Sequence, residues 1–190
     1  DEDLSVINAQ GFDGGAYRTM AAIKFAVDGT PGSGDAPGRV EFWTTEDGTV
    51  TNSERMRITN SGIVHINDSS NANMTQGLTI SQGSSDNEIL ALKSSDCAHG
   101  MTTVTETDTY ARFGKSAGSG GLLITSLDDE VSNPFIIQAY AGATNTTKGT
   151  GGAGTIDIRC ARADGTGLQS LASDGNLLAI RDNTTTRFIF

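Results

Sequence analysis

The chain has 190 residues and a formal net charge of −10, from 13 basic and 23 acidic residues. That length accommodates one compact domain or two small modules and excludes a large multidomain enzyme. Leu, Ile, Val and Phe together supply 39 of the 190 positions, just above the ~20% level below which highly charged chains stay disordered, so one copy has a thin core.

Gly and Thr each occur 24 times. Thr fits a pleated surface and Gly serves tight turns, so the composition predicts an all-β chain of short-stranded hairpins and meanders. An acidic chain lacks the clustered Lys and Arg of phosphate-backbone and anionic-lipid binders, so no nucleic-acid partner is expected. Apolar stretches such as those near Leu122–Ile124 and Phe135–Ile137 fall far short of the ~20 residues of a membrane helix, and no membrane insertion is expected. No secretory leader is read at the start, and the absence of an initial Met leads us to expect a processed, tagged or trimmed product.

Along the chain, Tyr17 to Val27 alternates with period 2: Ile23, Phe25 and Val27 share one parity, Arg18 and Lys24 the other. This predicts a strand with its odd positions buried. Further short strands are predicted at 39–45, 54–59, 63–66, 78–81, 88–93, 110–115, 122–126, 135–140, 155–162, 176–181 and 187–190. Asp13-Gly14, Asp28-Gly29, Asp47-Gly48 and Asn60-Ser61-Gly62 are the turn signals between early strands. The polar run Asn67–Gln76 reads as a seam between an N-terminal β module, 1–67, and a C-terminal β module, 68–190. Loops 30–38 and 144–154 read as exposed contact segments.

No P-loop, G-x-S-x-G, H-E-x-x-H or C-x-x-C spacing occurs, so no enzyme activity and no cofactor is expected. Cys97 and His99 form a C-x-H pair whose thiol and imidazole suit a nucleophile or a metal ligand. If three copies met on an axis, three His99 rings could hold a metal ion. Asp128-Asp129-Glu130 offers carboxylates for a hard cation or for glycoside hydrolysis, although the calcium-loop spacing is absent. Trp43, Tyr110 and Tyr140 are the aromatic candidates for stacking on a sugar face. Trp43 alternates with Arg39 and Glu41, which predicts a half-exposed face. Cys97 and Cys160 permit one disulfide but make no disulfide scaffold.

Glu54-Arg55-Met56-Arg57-Ile58-Thr59-Asn60-Ser61-Gly62-Ile63-Val64-His65-Ile66 resembles a strand-turn-strand element of tailed-phage tail fibres and related adhesins, found upstream of an intramolecular chaperone. Residues 74–80, 86–96, 98–102 and 185–190 are similar to segments of fibre-like phage proteins, so the resemblance covers about half the chain. It implies an elongated, interleaved β-trimer, of β-prism or β-helix-like shaft type, carried on a virion outside the cell. The implied partners are two further copies of the chain, adjacent virion tail proteins, and a host surface glycan or protein. A polysaccharide-degrading tailspike and a cellular extracellular β-rich filament are the alternatives. Independently of the resemblance, the thin core and the C-terminal Phe188-Ile189-Phe190 call for partner surfaces.

Overall fold

A computed structural model of the chain describes residues 2–130, 133–143, 146–149, 154–164, 166–182 and 184–189. Thirteen strands and no helix occur among them. The chain divides into two compact units, Asp1–Pro134 and Phe135–Phe190.

In the first unit, β1 (Asp3–Phe12), β2 (Tyr17–Val27), β3 (Gly38–Thr45), β4 (Asn52–Ile58), β5 (Val64–Ile66) and β6 (Leu78–Ile80) form a six-stranded sheet in sequence order. The first five pair antiparallel, as short polar turns dictate. β6 runs parallel to β5, because Asn67–Gln76 carries the chain across and back along the same edge. Asn67 makes that departure in the left-handed region (φ 54°), which Asn tolerates; its N–H donates to the Arg55 carbonyl and its Nδ2 to the Ser81 carbonyl. A separate meander follows, β7 (Glu88–Lys93), β8 (Thr109–Ala117) and β9 (Gly120–Ser126).

Register determines the faces of the large sheet. One cross-strand row reads Ile7, Ile23, Phe42, Met56, Ile66, Ile80 through all six strands. The next reads Ser5, Phe25, Val40, Ile58, Val64, Leu78. The opposite face carries Lys24, Glu41, Arg57, His65 and Thr79 in one continuous row. It is the charged face that is covered: Glu41 is 3% exposed and His65 1%, against 60% for Ile7 and 51% for Leu78. The burial expected for the odd positions of β2 is therefore reversed in the single chain. Ala22 and Ala26 are buried while Phe25 and Tyr17 are exposed, and among the described residues no strand from outside the sheet packs closely on either of its faces.

Only Ala22, Ala26, Ile63 and Leu127 are buried apolar residues among those described, while six polar ones are buried. This inverts the usual order of interiors. The small meander likewise aligns Leu90, Phe113 and Ile124 in one row, with Leu90 and Ile124 exposed.

The second unit contains two hairpins, β10 (Arg162–Asp164) with β11 (Gly167–Gln169), and β12 (Ala179–Asp182) with β13 (Thr185–Ile189). Of its described residues only Gln169 and Leu171 are even half-buried. The strands expected at 135–140 and, apart from Arg162, at 155–162 do not form. Phe135, Ile136, Ile137, Ile156 and Ile158 stand exposed instead, since a strand needs a neighbouring ladder that one chain does not supply here. Phe188 and Ile189 are exposed as expected; Phe190 lies outside the described residues, as do Thr144, Asn145 and 150–153 of the second contact loop.

Candidate functional site

Arg39, Glu41 and Trp43 alternate along β3 and therefore share the covered face of the large sheet. Glu41 is the hub. Its Oε1 accepts from Arg39 Nε at 2.5 Å, its Oε2 accepts from Trp43 Nε1 at 2.8 Å, and Arg57 Nη2 of the neighbouring strand lies 3.9 Å away. Arg57 forks onto both oxygens of Glu54 at 2.5 Å, and Arg39 also donates to the Val27 carbonyl and to Asp28. From β2, Lys24 places its ammonium 3.7 Å above the Trp43 ring centroid, a cation–π contact.

Burial pushes the Glu41 carboxyl upward, but donation from Arg39 and Trp43 and the guanidinium charges of Arg39 and Arg57 outweigh it, holding the group below the usual glutamate range. Hydrogen bonding to Glu41 raises Arg39, and hydrogen bonding to Glu54 raises Arg57. This is a locked network: the indole N–H of Trp43 is committed and one face of its ring is capped. The aromatic was legible from alternation; Lys24, which caps it, comes from another strand and gave no local signal.

The second candidate region is a cavity of about 500 Å³ at the end of the β8–β9 meander, lined by Asp96–His99, Tyr110 and residues 126–130, 133 and 134. Tyr110 is 40% exposed there. Four carboxylates, Asp96, Asp128, Asp129 and Glu130, give the cavity a negative lining. The Ser94 hydroxyl holds Asp96 below the usual aspartate range, with help from its own backbone N–H. Asp128 Oδ1 accepts the Glu130 N–H at 2.9 Å, which turns the chain back at the rim.

His99 is 2% exposed. Its Nδ1 accepts the Met101 N–H at 3.3 Å, which assigns the proton to Nε2 and makes that atom the donor to the Thr109 carbonyl, 2.8 Å away. Neither ring nitrogen retains a lone pair for Cys97 or for a metal ion. The ring instead fastens the 94–108 loop to β8, assisted by the Thr107 hydroxyl donating to the His99 carbonyl at 2.9 Å. Among the described residues no group of three or more His, Cys, Asp or Glu is arranged to hold a metal.

Cys97 is half-buried and Cys160 exposed, and both are free thiols. Tyr140, in the second unit, is 89% exposed. The structure therefore brings Tyr110 together with His99 and the 128–130 carboxylates, and places Trp43 in the separate charged network. The chain matches no protein-family model, and a search of curated proteins finds none similar to it.

Proposed function

We propose that this chain is a structural and adhesive segment of a phage tail fibre, acting as a homotrimer that presents a multivalent host-binding face on the virion. The observation that carries the assembled state is surface area. One chain leaves 14219 Å² accessible, whereas a folded monomer of 19.7 kDa should expose roughly 8,600 Å². The excess, roughly 5,600 Å², is at the scale of an obligate interface, ~2,000–5,000 Å² or more.

The virion setting is supported by the segments resembling tail fibres, of which Glu54–Ile66 spans most of β4, the following turn and β5. Three copies per fibre, and several fibres per particle, would turn weak individual contacts into firm attachment through effective concentration. The neighbours of such a segment are other tail proteins at its ends and a host glycan or protein at the exposed loops.

Light scattering of the purified chain at micromolar concentration should return three chain masses, and labelled antibody should decorate tails in electron micrographs of the source particle. A monomer mass overturns the assembly; label on a cell filament overturns the virion setting. The carboxylates beside Tyr110 favour one second reading, a polysaccharide-degrading tailspike. Release of reducing ends from host capsule by the pure protein would replace passive adhesion with that activity.

A further inference from the structure

The large sheet presents its apolar rows outward and its charges inward, the reverse of a sheet that a single chain completes. Eleven of the twelve residues in the two rows are apolar, and none is charged. Beyond them, Ala9, Ala21, Thr44 and Ser53 continue the face with small uncharged side chains. Leu4 joins Phe25, Val40 and Ile58 around an open, mostly apolar groove at the other end, which Arg39 also lines.

We infer that this face is where a second copy of the chain packs, sheet against apolar surface, with the Arg39–Glu41–Arg57 face turned away. The inference rests on the homo-oligomer proposed above and names its contact surface. Three observations select a second copy as occupant. The unburied area per chain reaches the obligate class, beyond what a transient visitor covers. Six strands spaced ~4.8 Å apart make a face about 24 Å wide, enough to hold a packed layer ~10 Å away. Finally, copies that each carry −10 repel one another, and two apolar rows without an acidic side chain, with the Arg55 guanidinium at their margin on Thr44, keep that repulsion off the interface.

The decisive experiment compares the oligomer masses of the unaltered chain, Ile7→Lys, Phe42→Lys and the turn control Ser84→Lys by sedimentation across a dilution series. Ile7 and Phe42 are already 60% and 36% exposed in one chain, so a charge there leaves the single-chain fold intact. Each should raise the midpoint concentration for association about tenfold to a hundredfold, with the control unchanged. A photo-crosslinking phenylalanine analogue at position 42 of the otherwise unaltered chain gives a second measurement that survives misfolding of either lysine variant. It should join two copies, with the junction mapping to apolar-face residues. An assembled chain whose mass ignores both substitutions, or whose position 42 crosslinks only within its own chain, overturns the assigned surface and leaves the homo-oligomer standing. A monomeric unaltered chain overturns both.

Discussion

Arg39 donates from Nε to Glu41 Oε1 at 2.5 Å, and both side chains are buried two residues apart on one face of β3. In a sheet that leaves Phe25 and Phe42 exposed, the buried side chains of β3 are the charged ones. Desolvating two such groups is costly unless each further proton and lone pair is matched. Glu41 meets that condition through Trp43 and Arg57, and Arg39 through Val27 and Asp28.

Removing the hub should therefore cost more than an ordinary surface charge. Glu41→Leu leaves the Trp43 N–H without its acceptor and two guanidinium groups short of a carboxylate, for about 3 kcal/mol of lost stability. Arg39 keeps Asp28 and Arg57 keeps Glu54, so the loss stays at the low end of that class. Urea unfolding at fixed protein concentration measures it. The folded Glu41 lies below its ordinary value, so its contribution is complete above the unfolded pKa and disappears as pH falls through the folded one. Glu41→Gln should accordingly flatten the acid limb of the stability profile.

Asp13 provides a simpler titration. The N–H groups of Ala16 and Gly15 donate to its Oδ1 at 2.7 and 2.8 Å and Arg18 Nε to its Oδ2 at 3.0 Å, lowering its pKa from 3.8 to about 2. The β1–β2 hairpin turn should be fully tied above pH 3.8 and loosen as pH approaches 2. Carboxyl NMR of the folded protein should show this resonance titrating at about 2, below the ordinary aspartate value of 3.8, and Asp13→Asn should increase amide exchange at Gly15 and Ala16.

How much of this the sequence discloses depends on where a residue's partner lies. β2 and β7 have the bounds that alternation predicts, 17–27 and 88–93, since a strand's own parity carries that signal. β1 escapes it because Leu4, Val6, Ile7 and Ala9 are apolar on both parities. The segments 135–140 and 155–162 read as strands but, apart from Arg162, have no ladder in one chain. The inversion of the large sheet was hidden for the same reason. Parity separates Arg39, Glu41 and Trp43 from Val40 and Phe42, yet which set is covered depends on the layer opposite. His99 is a C-x-H ligand on paper and a loop fastener in space, because Met101 and Thr109 occupy its nitrogens.

Two turns stand near each other at one end of the sheet and can be tested together. Asn60 donates its N–H to Asp28 Oδ2 at 2.8 Å and its Nδ2 to the Asp28 carbonyl at 2.5 Å. Gly29 sits at φ 146°, and a methyl there would meet Pro37 Cγ at 3.1 Å. Gly29→Ala should therefore combine backbone strain with a clash, whereas Gly62→Ala, at φ 81° in open space, carries strain alone. The second should cost about 1 kcal/mol in thermal or urea unfolding and the first more. Asn60→Ala should add little to Gly29→Ala in a double-mutant cycle, since both loosen the same corner.

Trp43, Tyr110 and Tyr140 are the aromatic side chains that the proposed adhesive function would offer to a glycan. Trp43 is the single tryptophan, its Nε1 is 2.8 Å from Glu41 Oε2, and the Lys24 ammonium is 3.7 Å above its ring. A sugar stacking on that capped face would have to displace the cation and forgo its attraction to the ring, about 0.5–2 kcal/mol. Tyr110 has no such cap, being 40% exposed at the acidic cavity, and Tyr140 is 89% exposed. Trp43→Phe should thus leave attachment to host cells unchanged while lowering unfolding stability, and Tyr110→Ala and Tyr140→Ala should reduce attachment at unchanged stability. Lys24→Ala should make tryptophan fluorescence more accessible to acrylamide, because the cation is what shields the ring. If Trp43→Phe abolishes attachment and the tyrosine variants attach normally, recognition belongs to the charged face and not to the cavity.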